Sequence, residues 1–131
     1  MIQGLNYLAS GASDLDRTKK LLVELLGAFE VIPSCPKSDP QEIILRIGDV
    51  WLKIVKSDDV SSKATILISF NVHPSDFDWY LEEINKRDLQ VANISENTEK
   101  KVRSIRFCDY DGNRFELNTN PMPSALLQSD N

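Results

Sequence analysis

Histidine and cysteine, the side chains that most often carry acid–base, nucleophilic or metal chemistry near neutral pH, are scarce in this chain. The only histidine, His73, stands directly before Pro74 where an apolar run gives way to a helix signal. A proline there opens a helix, so His73 reads as a surface or capping residue and not as a metal ligand. The two cysteines, Cys35 and Cys108, form no Cys-x-x-Cys pair and are too few for a secreted disulfide framework, so a reducing compartment is expected. Cys108 lies in an apolar run and reads as core. Tyr7, Trp51, Trp79 and Tyr80 are the aromatic platforms available to a ligand, although Trp79 and Tyr80 fall in a helical pattern, where core or flank is the commoner place. The formal net charge of -5 over 131 residues offers no basic stripe for nucleic-acid phosphates. No stretch approaches the ~20 apolar residues of a membrane span, and no basic region precedes an apolar run at the N-terminus, so a cytoplasmic protein is expected.

The elements that must position these groups repeat in order. Residues 2–9 read as a strand, after which Ser13-Asp14-Leu15-Asp16 offers an N-cap hydroxyl with acids in the first turn. Leu15, Thr18, Leu22, Leu25 and Leu26 then recur at three and four residues, and Gly27 supplies a left-handed end to the helix. A strand at 29–32, a proline-bracketed loop at 33–40, and two apolar runs at 43–47 and 50–55 follow, the runs joined by the two-residue turn Gly48-Asp49. The second half gives a strand at 65–72, a helix at 75–86 with Phe77, Tyr80, Leu81 and Ile84 on one face, and strands at 89–94, 102–107 and 113–118. Glu82 with Lys86 and Glu83 with Arg87 are helix-supporting pairs. The expectation is an α+β fold of two βαβββ modules, halves 1–57 and 63–120 of a single domain over 1–120, with a loose tail at 121–131.

The stretch Arg103-Ser104-Ile105-Arg106-Phe107-Cys108-Asp109-Tyr110-Asp111-Gly112-Asn113-Arg114-Phe115-Glu116-Leu117 resembles the signature of the vicinal oxygen chelate superfamily, which includes glyoxalases, bleomycin-resistance proteins and dioxygenases. Within it the chain is similar to the fosfomycin-resistance epoxide hydrolases. Met1-Ile2-Gln3-Gly4-Leu5, Asp14-Leu15, Ile47-Gly48-Asp49-Val50-Trp51 and Phe107-Cys108-Asp109-Tyr110-Asp111 fall in matching order, and the likeness extends to Thr119. It implies an open, cleft-shaped mixed sheet with helices outside, and a homodimer. It also implies a divalent metal, typically manganese, held by two histidines and a glutamate. Tyr7 and Leu67 stand where the histidines would, and only Glu116 remains. Strand alternation agrees, since Arg114, Glu116 and Asn118 share one face. Glu42 falls in register with the general base that activates water against the epoxide. The arginines that hold the phosphonate in such proteins are absent from residues 93–101, while Arg103 keeps its register and Arg106 replaces an aromatic residue.

An open catalytic metal site takes about three protein ligands, and leucine donates nothing. No cofactor is therefore expected, and Mn(II) enters only if the register of Tyr7 and Leu67 is misread. The first reading is a metal-independent small-molecule-binding protein with Tyr7, Leu67, Trp51, Arg103, Arg106 and Glu116 along the ligand cleft. The arginines could equally pair with Glu116 and Asp109 across strands. A second reading keeps a fosfomycin-resistance-type or other enzyme of the superfamily, with Glu42 or Glu116 as general base and Tyr7 or Arg106 facing developing negative charge. A third is a non-catalytic paralogue acting through protein contacts.

Overall fold

The computed structural model describes residues 1–32, 41–58 and 66–121. Cys35, the loop at 33–40, most of the connection between the halves and nearly all of the expected tail lie outside the described residues. The chain divides into two compact units, Met1–Ser62 and Lys63–Asn131. No described helix is long and apolar enough to cross a membrane.

Unit 1 runs β1 (Leu8–Ala12), α1 (Leu15–Leu26), β2 (Phe29–Val31), β3 (Glu42–Ile47) and β4 (Val50–Lys56). Its sheet has the order β1-β4-β3-β2, with β1 parallel to β4 and the other pairs antiparallel. The cap of α1 is Asp14, not Ser13: its carboxylate accepts from the Arg17 backbone N–H at 3.1 Å. Gly27 closes the helix at φ 68°, as read from its lack of a side chain. Thr18, Leu21, Leu22 and Leu25 are buried, as are Leu45, Ile47, Leu52 and Ile54 of the sheet. The first strand is shorter and later than expected. Residues 1–7 are exposed apart from a strand partner, because pairing with β4 begins only at Leu8↔Leu52.

Unit 2 repeats the plan with β5 (Leu67–Asn71), a 3₁₀ turn at Pro74–Asp76, α2 (Phe77–Lys86), β6 (Val91–Asn97), β7 (Val102–Cys108) and β8 (Arg114–Asn118), in the order β5-β8-β7-β6. The outer pair β5–β8 is parallel and the rest antiparallel. His73 caps the 3₁₀ turn as expected, its Nδ1 accepting from the Ser75 N–H at 3.1 Å. Glu83 pairs with Arg87, and Lys86 meets Glu83 (3.5 Å). Phe77 and Ile84 of α2 and Ile105, Phe107, Phe115 and Leu117 of the sheet form the core. In the turn before β8, Asp109 is buried and its Oδ1 accepts from the backbone N–H groups of Asp111 and Asn113, both at 2.9 Å. Those bonds make the aspartate the frame of the turn, and Gly112 supplies the φ of 86° that completes it. These are two βαβββ modules, the α+β architecture anticipated from the sequence.

Candidate functional site

Each sheet buries one face and leaves the other open, and strand alternation decides which side chains the open faces carry. In unit 1 the helix-side set Leu45, Ile47, Leu52 and Ile54 leaves Glu42, Ile44 and Arg46 of β3 beside Trp51, Lys53 and Val55 of β4. Lys53 Nζ lies 3.4 Å from Glu42 Oε2 and 5.5 Å from the centre of the Tyr7 ring. One cation thus joins the expected general base to the residue in the first histidine's place, at a cation–π distance. Trp51 is not a bare platform, since the Arg46 guanidinium lies over it at 5.5 Å. Nε of that arginine donates to the Gly48 carbonyl at 3.0 Å.

In unit 2 the open face carries Leu67, Ser69 and Asn71 of β5, Arg114, Glu116 and Asn118 of β8, and Ser104, Arg106 and Cys108 of β7. Glu116 is directly opposite Ser69 on one side and Arg106 on the other. Its Oε1 accepts from Ser69 Oγ at 2.7 Å and from Asn118 Nδ2 at 3.5 Å, and its Oε2 accepts from Arg106 Nε at 2.7 Å. Burial pushes this carboxyl upward, but the bonds from Arg106, Ser69 and Asn118 and the charge of Arg106 outweigh it and hold the group below the usual glutamate range. Asp109 goes the other way: burial dominates the bonds from Asn113 and Asp111 and raises it.

Two expectations need correction. Arg103 does not join Arg106 and Glu116. Residues 103 and 106 differ by an odd number, so they point to opposite faces. Arg103 is on the helix side, 2.8 Å from Asp78 Oδ1 and 4.5 Å over the Phe77 ring. Of the cross-strand pairings considered, Arg106 with Glu116 forms, while Arg103 is taken by α2. Cys108 is half-buried on the open face and not core. Leu67 is half-buried opposite Arg114. Lys53 and Ser69 were passed over in the sequence, although alternation outward from Trp51 and Leu67 would have put both on the open faces, and Asn118, placed there beside Glu116, was given no role. Among the described residues no group of three His, Cys, Asp or Glu side chains converges to hold a metal.

No protein-family model matches the chain. It is 31% identical over 130 residues to the fosfomycin resistance protein FosX of Mesorhizobium japonicum, covering 98% of this chain and 94% of that one. The crystal structure of FosX from Mesorhizobium loti superimposes with a TM-score of 0.79 at 30% identity, over 96% of this chain and 99% of that one. A variant of FosX from Listeria monocytogenes, solved with Mn(II) and 1S,2S-dihydroxypropylphosphonic acid, gives a TM-score of 0.82 at 25% identity, over 98% and 99% of the two chains. The Mn(II) in that complex overturns the expectation that no cofactor takes part. The expectation counted only protein donors at residues 7, 67 and 116, whereas water and substrate oxygens also ligate a divalent ion. The fold, the order of the elements and 31% identity to FosX over nearly the full length agree, and the chain belongs to the fosfomycin resistance proteins of the vicinal oxygen chelate superfamily.

Proposed function

We propose that this chain is a fosfomycin-resistance-type enzyme that adds water across the epoxide of a small phosphonate. The observation that carries the reading is the near full-length likeness to FosX. One FosX complex holds 1S,2S-dihydroxypropylphosphonic acid, the diol that results when water opens an epoxypropylphosphonate.

In this reading Glu42 takes a proton from water, the oxygen attacks an epoxide carbon, the C–O bond of the ring breaks, and the alkoxide takes up a proton. Support for Glu42 is its place on the open face of β3 beside Lys53. Lys53 would offer the phosphonate a counter-charge. Tyr7, next to Lys53, supplies a phenol for the developing alkoxide. Glu116 is the carboxylate that a metal would meet. Leu67 offers no donor and the protein ligands fall short of the usual three, so no step is routed through the ion. Trp51, under Arg46, belongs to the wall of the open face. The homodimer implied by the resemblance and the cytoplasmic location expected from the sequence composition belong to the same proposal.

The test is incubation of the purified chain with fosfomycin and Mn(II), followed by phosphorus NMR. The expected result is a new phosphonate resonance matching authentic 1,2-dihydroxypropylphosphonic acid. Glu42→Gln should slow its appearance by about 10²–10⁴-fold, the usual contribution of a general base. Absence of the diol at saturating Mn(II) would overturn the reading, and undiminished turnover in Glu42→Gln would remove Glu42 from it.

A further inference from the structure

Lys53 lies on β4, which has β1 on one side and β3 on the other. Its facing partners across the sheet are Ala9 and Ile44, and Trp51 and Val55 are the next residues of β4 on the same face. None of these four side chains offers an acceptor, since an indole only donates. The lysine Nζ, on a side chain 32% exposed, is 3.4 Å from Glu42 Oε2. Among the described residues, Glu42 is the only carboxylate that this ammonium pairs with. The carboxylate is equally dependent on the ammonium. Glu42 opens β3, and β2 pairs only with residues 44–46, so no described strand flanks Glu42 on the side away from β4. A glutamate so placed is free to turn about its own bonds, whereas a general base must hold one oxygen within hydrogen-bond reach of its water.

We propose that Lys53 is a positioning residue for Glu42. It holds Oε2 from the floor of unit 1 and leaves Oε1 for the water that is deprotonated. This rests on the reading of Glu42 as the base, and it goes beyond the counter-charge for the phosphonate, because here the ammonium acts through the carboxylate and not on the substrate. Three N–H donors allow it to serve both groups. The pair lies at the rim, where an ion pair adds little to stability, so the role shows in the rate and not in folding.

The experiment measures initial rates of diol formation from fosfomycin with Mn(II) by phosphorus NMR, in the wild type, Lys53→Met, Lys53→Arg, Glu42→Gln and the double variant Lys53→Met/Glu42→Gln. Methionine keeps the apolar stem and removes the charge. In Lys53→Met kcat should fall by about tenfold or more, toward the ~10²-fold cost of a 1 Å misplacement. Its unfolding in urea should match the wild type. A higher KM belongs to the counter-charge; the positioning is read in kcat. Lys53→Arg, which keeps charge and reach, should recover most of kcat. In the Glu42→Gln background, Lys53→Met should change kcat by less than about twofold, because nothing is left to position. Lys53→Gln replaces the methionine variant if that does not fold. Wild-type kcat in Lys53→Met, a kcat in Lys53→Arg as low as in Lys53→Met, or an equal-fold loss with and without Glu42 would each overturn the positioning role and leave the hydrolase reading standing. No diol from the wild type would remove the hydrolase reading and this inference with it.

Discussion

The two units share a topology, and each open face carries a carboxylate joined to a cation, but the pairs sit at different depths. In unit 1 the Glu42 side chain is 51% exposed and meets Lys53 at 3.4 Å; in unit 2 the Glu116 side chain is 10% exposed and meets Arg106 at 2.7 Å. The cause is position along the strand. Glu42 is the first residue of β3, and β2 pairs only with residues 44–46, so the carboxylate stands beyond the edge of its neighbour. Glu116 is central in β8 with a strand on each side. An ion pair at the rim contributes little to stability and leaves the carboxylate reachable by water, as a base requires. A pair in the floor must be fully hydrogen-bonded, and Ser69 and Asn118 provide for that.

If the units are alike beneath these faces, truncating a fully buried leucine of the helix-facing core should have the largest effect and a similar size in both. Leu52 is 2% exposed and Leu117 0%. Leu52→Ala and Leu117→Ala should each lower unfolding free energy in urea by about 2–5 kcal/mol, the range for a buried leucine that leaves a cavity. A loss near zero in either would show that the two helix-facing cores are not equivalent.

The turns should separate the units more sharply. Asp109 is 7% exposed and accepts two backbone N–H bonds in the turn between β7 and β8. Asp109→Ala orphans both donors and should cost about 1–3 kcal/mol. In the β3–β4 turn the Asp49 side chain is fully exposed and reaches Arg46 only at 4.0 Å, so Asp49→Ala should stay within about 0.5 kcal/mol of the wild type by the same denaturation measurement. Equal losses would mean that the Asp109 bonds are replaced by water when the side chain is removed.

These local devices were the legible part of the chain. Gly27 as a helix end, Gly48-Asp49 as a hairpin and His73 as a cap each follow from the backbone chemistry of a few adjacent residues. Strand limits were less readable because a strand ends where its partner does. Ile2 and Leu5 look like strand residues and are exposed, while Ser95-Glu96-Asn97 looks like loop and is strand because β7 pairs with it. Glu42 and Glu116 were placed by resemblance, and their partners Lys53 and Ser69 were recoverable only once register fixed which residues face each other. The misplacement of Arg103 beside Arg106 was avoidable, since an odd separation along a strand already puts the two on opposite faces. The ligand count at residues 7, 67 and 116 set aside the manganese that the resemblance implies and that the FosX complex holds, because such a count reads only the protein's share of a coordination shell.

The smallest predicted effect distinguishes the two shifted acids of unit 2 by sign. Glu116 is held below the ordinary range, so its contribution to stability is complete above the unfolded glutamate value of about 4.3 and is lost as pH falls through the lower folded value. Asp109 is raised by burial, so its ionisation opposes folding at neutral pH. The folded state takes up that proton first as pH falls, and the relief is complete below the unfolded aspartate value of about 3.9. Urea unfolding of the wild type, Glu116→Gln and Asp109→Asn from pH 7 to pH 3 isolates the two. The stability advantage of wild type over Glu116→Gln should shrink with acidification, and that of wild type relative to Asp109→Asn should grow. Parallel curves would mean that Arg106 and Ser69 do not hold the Glu116 charge in solution. The floor of unit 2 would then be no more protected from water than the rim of unit 1.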